Sequence, residues 1–241
     1  MASPVPEFVR QDLEGLGFAL PEMLLDRLAS YLALLLETNE RMNLTAVRDV
    51  DEAWLRLIVD SLTPLPGLDD LDEGGTLIDV GSGGGMPGIP LAIARPDLRV
   101  TLLEATGKKA RFLESACREL ALENVDVVPQ RAETAGQDAN HRERYDAAVC
   151  RAVGPMNGLL ELCLPMVRTG GRLLAMKGPK AEQELQRAGD ALDKLGAGEL
   201  QVFAAYPETF ANDLVIVQVA KDRATPKGYP RLPGVPKHDP L

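Results

Sequence analysis

Between residues 21 and 41 the apolar residues Met23, Leu24, Leu28, Tyr31, Leu32, Leu35 and Leu36 recur at helical intervals. That spacing lays one stripe along an α-helix, and Pro21 suits its first turn. A second stripe, Trp54, Leu55, Ile58, Val59 and Leu62, predicts a helix over 51–62 that ends before Pro64 and Pro66. The pattern then changes. Beyond the acidic, glycine-containing stretch 69–75, short apolar runs alternate with amphipathic segments. The runs predict strands over 76–80, 99–104, 125–129, 146–151, 171–177, 200–206 and 214–220. The segments between them predict helices over 89–94, 108–122, 156–167 and 181–195.

Such alternation builds an α/β fold with a mainly parallel sheet, and two final strands without a helix between them add an antiparallel strand near one edge. The chain divides into a helical extension over 1–70, a sheet domain over 71–220 and a tail over 221–241. The tail ends in TPKGYPRLPGVPKHDPL, whose five prolines predict an extended segment lying outside the sheet.

Composition narrows the class. A hydrophobic fraction of 45% fills a sizeable core, whereas the longest apolar runs, such as 32–36 and 91–94, fall far short of the roughly 18–20 residues of a membrane span. The start, MASPVPEF, shows no basic flank before an apolar run, so a soluble, cytoplasmic protein with no membrane partner is expected. Cys117, Cys150 and Cys163 are far apart, and His141 and His238 are the only histidines, which predicts reduced thiols and no metal site. The expected state is a monomer. A net charge of −10 argues against a polyanionic partner until it is located. Basic against acidic residues number 5 to 15 over 1–75, 9 to 11 over 76–150 and 12 to 10 over 151–241, so the excess acid sits at the N-terminus. The remainder is free to approach RNA.

The chemistry concentrates in LIDVGSGGGMPG, residues 77–88, where an apolar strand runs into Gly81, Gly83 and Gly85. Glycines there let the backbone turn sharply and approach a ligand that a Cβ would strike. Asp79, two residues before the first glycine, favours an S-adenosylmethionine site over a dinucleotide site, although Gly83, Gly85 and Gly88 also satisfy the dinucleotide spacing. Glu104 closes the next strand, where an acid accepts hydrogen bonds from ribose hydroxyls or, alternatively, caps the helix beginning near Gly107. Ala132 and Glu133 follow the third strand as a lip for an adenine. Arg151 and Lys177 end two later strands, at the carboxyl edge where α/β ligands sit.

The chain as a whole resembles the RsmG (GidB) family of bacterial 16S rRNA guanine-N7 methyltransferases. The resemblance rests on Met42-Asn43-Leu44-Thr45, Arg56, Asp60-Ser61-Leu62, IDVGSGGGMPGIPL, Arg95-Pro96, LLEATGKKARFL, Arg151-Ala152, Met176-Lys177-Gly178 and YPRLPGVPKHDPL. Two positions depart: Leu57 stands where the family often has His, and Thr38 where an aromatic residue often precedes Asn39. The resemblance implies a class I methyltransferase fold, S-adenosylmethionine as cofactor and the small-subunit RNA as partner. It places Gly81, Met86, Glu104, Ala105, Thr106, Ala132, Glu133 and Arg151 at cofactor positions, while Arg151 and Lys177, by their places at strand ends, are the candidates at the reacting centre. A small-molecule methyltransferase, a non-catalytic ribosome-assembly factor and a nicotinamide oxidoreductase remain the alternatives. On this reading the tail serves RNA, through Lys227 and Arg231, and its removal leaves cofactor binding intact.

Overall fold

A computed structural model describes residues 4–207 and 212–241. The chain opens with α1 (Glu7–Gly15), a helix the apolar pattern did not suggest, which buries only Val9 and Leu13. In α2 (Glu22–Met42) the stripe of Leu24, Leu25, Leu28, Tyr31, Leu32 and Leu35 is buried, whereas Met23 faces solvent at 66% exposure. The helix stops at Asn43, which takes the left-handed conformation that asparagine tolerates. Buried Asn39 fixes the exit, its Oδ1 accepting from the backbone N–H groups of Leu44 and Thr45.

The second predicted helix is continuous but not uniform: α3 (Val50–Ala53), a π-helical stretch (Trp54–Val59) and α4 (Asp60–Leu62). Each residue of an i→i+5 turn advances by less than the α-helical 100°, so Leu57 rotates into the core and Leu55 rotates out, to 37% exposure. The stripe read from the sequence assumed an unbroken α-helix and placed Leu55 inside. A 3₁₀ turn (Leu65–Leu68) leads to the sheet.

Seven strands follow: β1 (Thr76–Val80), β2 (Arg99–Leu103), β3 (Val125–Val128), β4 (Tyr145–Arg151), β5 (Val167–Lys177), β6 (Ala197–Ala204) and β7 (Val215–Lys221). Their order is β3-β2-β1-β4-β5-β7-β6. The first five pair in parallel, and β7 runs antiparallel between β5 and β6. Helices α5 (Gly88–Ala94), α6 (Gly107–Glu119), α7 (Ala132–Ala135), α8 (Met156–Cys163), α9 (Ala181–Leu185), α10 (Gly189–Leu195) and α11 (Val235–His238) complete the chain. The helix expected over 156–167 ends at Cys163, because Pro165 brings a 3₁₀ turn and β5 begins at Val167. The helix expected over 181–195 divides before Gly189, a poor helix former.

Strand periodicity of two sorts the core into two layers. Leu77, Ala147, Val149, Leu174, Met176 and Ile216 face the N-terminal helices, α5 and α6. Their neighbours Ile78, Ala148, Cys150, Leu173, Ala175 and Val217 face α8 and α10. The N-terminal helices thus share one core with the sheet. Strand order reverses between β1 and β4, which opens a crevice at their carboxyl ends.

The tail is held rather than free. Buried Lys221 donates to the carbonyls of Leu164 and Leu195 and to the Thr225 hydroxyl. Arg142 then donates to the carbonyls of Thr225, Pro226 and Tyr229.

Tyr31 ties α2 to the turn that follows β1. Its side chain is fully buried, and its hydroxyl donates to the Gly84 carbonyl at 2.7 Å. Tyr31→Phe strands that carbonyl and is expected to cost about 1–3 kcal/mol of stability, read from urea unfolding. An unchanged midpoint would show that the contact does not tie helix to turn.

Candidate active site

The turn after β1 places Gly81, Gly83 and Gly85 at φ of +77°, +59° and +103°, a region closed to most side chains. Space closes as well. A Cβ on Gly85 would stand 2.6 Å from Ile89 Cδ1, and one on Gly88 would stand 2.3 Å from Leu102 Cδ2. Glu104, 7% exposed, spans the turn and the next loop: Oε2 accepts from Gly83 N at 2.9 Å, and Oε1 from Thr106 N at 2.6 Å. Each carboxylate oxygen retains a lone pair for a further donor.

A cavity of about 330 Å³ opens above this turn. Of the residues expected from the sequence, Gly81, Glu104, Ala105, Ala132 and Glu133 line it. Sequence reasoning missed Gln130, Asn157, Leu159 and Leu162, and it missed Gly234, Pro236, Lys237 and Pro240 of the tail. Glu133, at the start of α7, is buried and accepts from Gly234 N at 2.8 Å, so its carboxylate holds the tail. The buried Oε1 of Gln130 has no protein partner. A larger, shallower depression of about 600 Å³ lies along the tail over Thr134, Gln137 and Lys227, away from the glycine turn.

The other expected residues lie around the cavity. Asp79 is fully buried beneath the turn, where Oδ2 accepts from Gly88 N at 3.0 Å. Burial pushes its carboxyl up to about 7, against the opposing pulls of the Gly88 N–H, the Ser82 hydroxyl and Arg151. Met86 is buried in the core layer shared with the N-terminal helices. Arg151 and Lys177 part company because strand faces alternate. Arg151 has the parity of Ala147 and Val149, and its Nη1 donates to the Arg56 carbonyl of the π-helical stretch at 2.7 Å. Burial lowers its pKa, opposed by Asp60, Tyr31 and Asp79. Lys177 has the parity of Leu173 and Ala175 and turns to the opposite face. There it donates to the Gly154 carbonyl at 2.8 Å and pairs with Glu184 at 2.6 Å, while Glu184 also accepts from Met156 N. Lys177 thereby braces the loop of Val153, Gly154 and Pro155, which forms part of the cavity wall.

This set fits an adenosyl cofactor: a cradle closed to Cβ atoms, a carboxylate with spare acceptors, and an apolar slot beside an unpartnered amide. Among the described residues no cluster of three or more His, Cys, Asp and Glu is arranged for a metal, and no helix is long and apolar enough to cross a membrane.

A sheet of this order, with a glycine turn after β1 and an acid after β2, is the fold of the class I S-adenosylmethionine-dependent methyltransferases. A solved S-adenosylmethionine-dependent O-methyltransferase from Thermotoga maritima superposes with a TM-score of 0.55 at 19% identity, covering 80% of this chain and 72% of that one. Sequence comparison specifies the family. The profile of rRNA small subunit methyltransferase G (GidB) matches residues 24–209. Ribosomal RNA small subunit methyltransferase G of Pelotomaculum thermopropionicum is 42% identical over 240 residues, 99% of this chain and 100% of that protein. The same-named protein of Lactobacillus johnsonii is 40% identical over 237 residues, 98% and 99% of the two chains. The chain belongs to the rRNA small subunit methyltransferase G family and is an S-adenosylmethionine-dependent methyltransferase.

Asp79 gives the fold a pH dependence of calculable sign. Its carboxyl keeps a proton up to about pH 7 when folded, well above the roughly 4 of an ordinary aspartate, so over that interval the folded protein binds the extra proton. The contribution is full below about pH 4 and is lost as pH rises through 7. Asp79→Asn keeps an acceptor for Gly88 N and is expected to flatten stability between pH 5 and 8, measured by urea unfolding; equal slopes in both proteins would refute it. Glu104→Ala removes the acceptor for Gly83 and Thr106, and calorimetry with S-adenosylhomocysteine is expected to show a loss of about 1.5–3 kcal/mol. An unchanged dissociation constant would return Glu104 to helix capping alone.

Proposed function

We propose that this protein methylates N7 of a guanine in the 16S RNA of the small ribosomal subunit, using the cavity beside Glu104 for its cofactor. Membership of a small-subunit rRNA methyltransferase family carries this reading. When bound, S-adenosylmethionine supplies an electrophilic methyl group. Guanine N7 bears a free lone pair at neutral pH, so no proton has to leave before it reacts. The residues need only hold and orient, a proximity effect, in a site that tolerates positive charge growing on the purine. His141 agrees with this economy: it bonds the Tyr145 hydroxyl at the amino end of β4. Arg151 stands at the opposite, carboxyl end of that strand.

Arg151 is the proposed positioning group on the face toward the N-terminal helices. A guanidinium stays protonated at working pH, so it cannot serve as base. A bidentate grip on O6 and N7 would occupy the reacting atom, and a cation beside N7 would oppose the growing charge. Contact with a phosphate or a cofactor carboxylate satisfies both constraints. The N7 edge of a guanine in duplex RNA lies in a deep, narrow groove, which favours an unpaired target.

Label transfer from the cofactor to small-subunit RNA, followed by borohydride and aniline cleavage at 7-methylguanine, tests the proposal. Transfer to small metabolites and none to RNA would refute it. Arg151→Ala is expected to lower transfer by roughly 10- to 1,000-fold, the loss of one or two charge-assisted contacts. Wild-type transfer together with wild-type cofactor affinity would leave Arg151 as a brace for Arg56 only.

A further inference from the structure

The tail is expected from the sequence to lie outside the sheet and to be dispensable for cofactor binding, but residues between 234 and 240 help to wall the cavity. Gly234, Pro236, Lys237 and Pro240 line the same cavity as Gly81, Glu104 and Ala132. Their seat is built by other parts of the chain. A Cβ on Gly158 of α8 would come within 2.8 Å of the Pro236 carbonyl oxygen, and one on Gly136 within 2.8 Å of Pro230 Cγ. Two separate elements therefore carry glycine where the tail passes over them.

The fastening is ionic. Glu161 of α8 is fully buried and bonds the tail: Oε1 accepts from Arg231 N at 2.8 Å and from Nε at 2.9 Å, and Oε2 accepts from Nη2 at 2.7 Å. A buried carboxylate is costly unless it is paired and hydrogen-bonded, and among the described residues Arg231 supplies both. Farther along, Glu133 accepts from Gly234 N, and Asn157 donates to the Leu241 carbonyl at 3.2 Å. Glu133 and Asn157 also line the cavity, so the groups that face the ligand are the groups that hold the tail.

We infer that residues 231–240 form a strap that is the closing wall of the cofactor cavity, and that Arg231 and Glu161 are the positioning residues that hold it closed. The inference rests on the cofactor reading of that cavity. Closure and binding are then linked: a clamped strap raises cofactor affinity, and bound cofactor must by reciprocity hold the strap more firmly. The strap also shuts water and competing ligands out of the apolar slot formed with Leu159 and Leu162.

The test uses the full-length protein and two variants, one Glu161→Gln and one ending at Leu232, which keeps the Arg231 pair but removes the wall. S-adenosylhomocysteine affinity is measured by calorimetry, the melting temperature without ligand by scanning calorimetry, and exchange of the Arg231 and Gly234 amides by hydrogen-exchange mass spectrometry. Both variants are expected to bind about tenfold or more weakly. Glu161→Gln is expected to melt close to the parent, and ligand is expected to slow exchange in the parent strap. Parental affinity in a folded variant overturns the strap. Exchange that is indifferent to ligand in a parent protein that binds also overturns it, even if the truncated chain fails to fold. A parent protein that does not bind S-adenosylhomocysteine at all defeats the cofactor reading itself, a result distinct from either.

Discussion

The backbone of one turn, Gly81 to Gly85, carries the constraint on which the rest of the molecule depends. Three glycines at positive φ have no side chains to stabilise the conformation, so neighbours must impose it. Three neighbours grip it: Tyr31 from α2 on the Gly84 carbonyl, Glu104 just after β2 on the Gly83 N–H, and Asp79 from β1 on the Gly88 N–H that starts α5. The N-terminal helices are thus part of the site's foundation.

Strand alternation then distributes the chemistry. Arg151 and Lys177 end strands whose registers place Arg151 beside Met176, yet opposite parity sends the arginine toward the π-helical stretch and the lysine toward α9. Glu104 and the strap bound the cavity on the side of α8. The arginine faces the other layer, where Asp60 also bonds the Tyr206 hydroxyl. A turn that joins both layers is therefore the natural meeting point for two substrates that approach from different sides.

The fold was legible because its signals are local: a 3.6-residue stripe, runs of period two, and a glycine cluster with an acid before it. The cavity floor was legible for the same reason. What stayed hidden was long-range or depended on phase. No property of Tyr31 announces a carbonyl 53 residues away, and none of Glu161 announces Arg231, 70 residues on. The π-helical stretch escaped because the apolar stripe was read at a fixed angle per residue. Proline content suggests an extended tail but says nothing about α11 within it or about a seat prepared by Gly136 and Gly158. Gln130 and the α8 residues look like ordinary surface and core positions in the sequence, and only their convergence on one cavity gives them a role.

Because the cavity is walled by residues as distant in the chain as Val80 and Pro240, it is completed in a fixed order during synthesis. The glycine turn and Glu104 leave the ribosome more than a hundred residues before Gly234 to Pro240, an interval on the order of ten seconds at common elongation rates. Once α8 has followed and until the strap arrives, the nascent chain presents an open, partly apolar groove. With the strap as its closing wall, the cavity reaches full cofactor affinity only after these residues have docked.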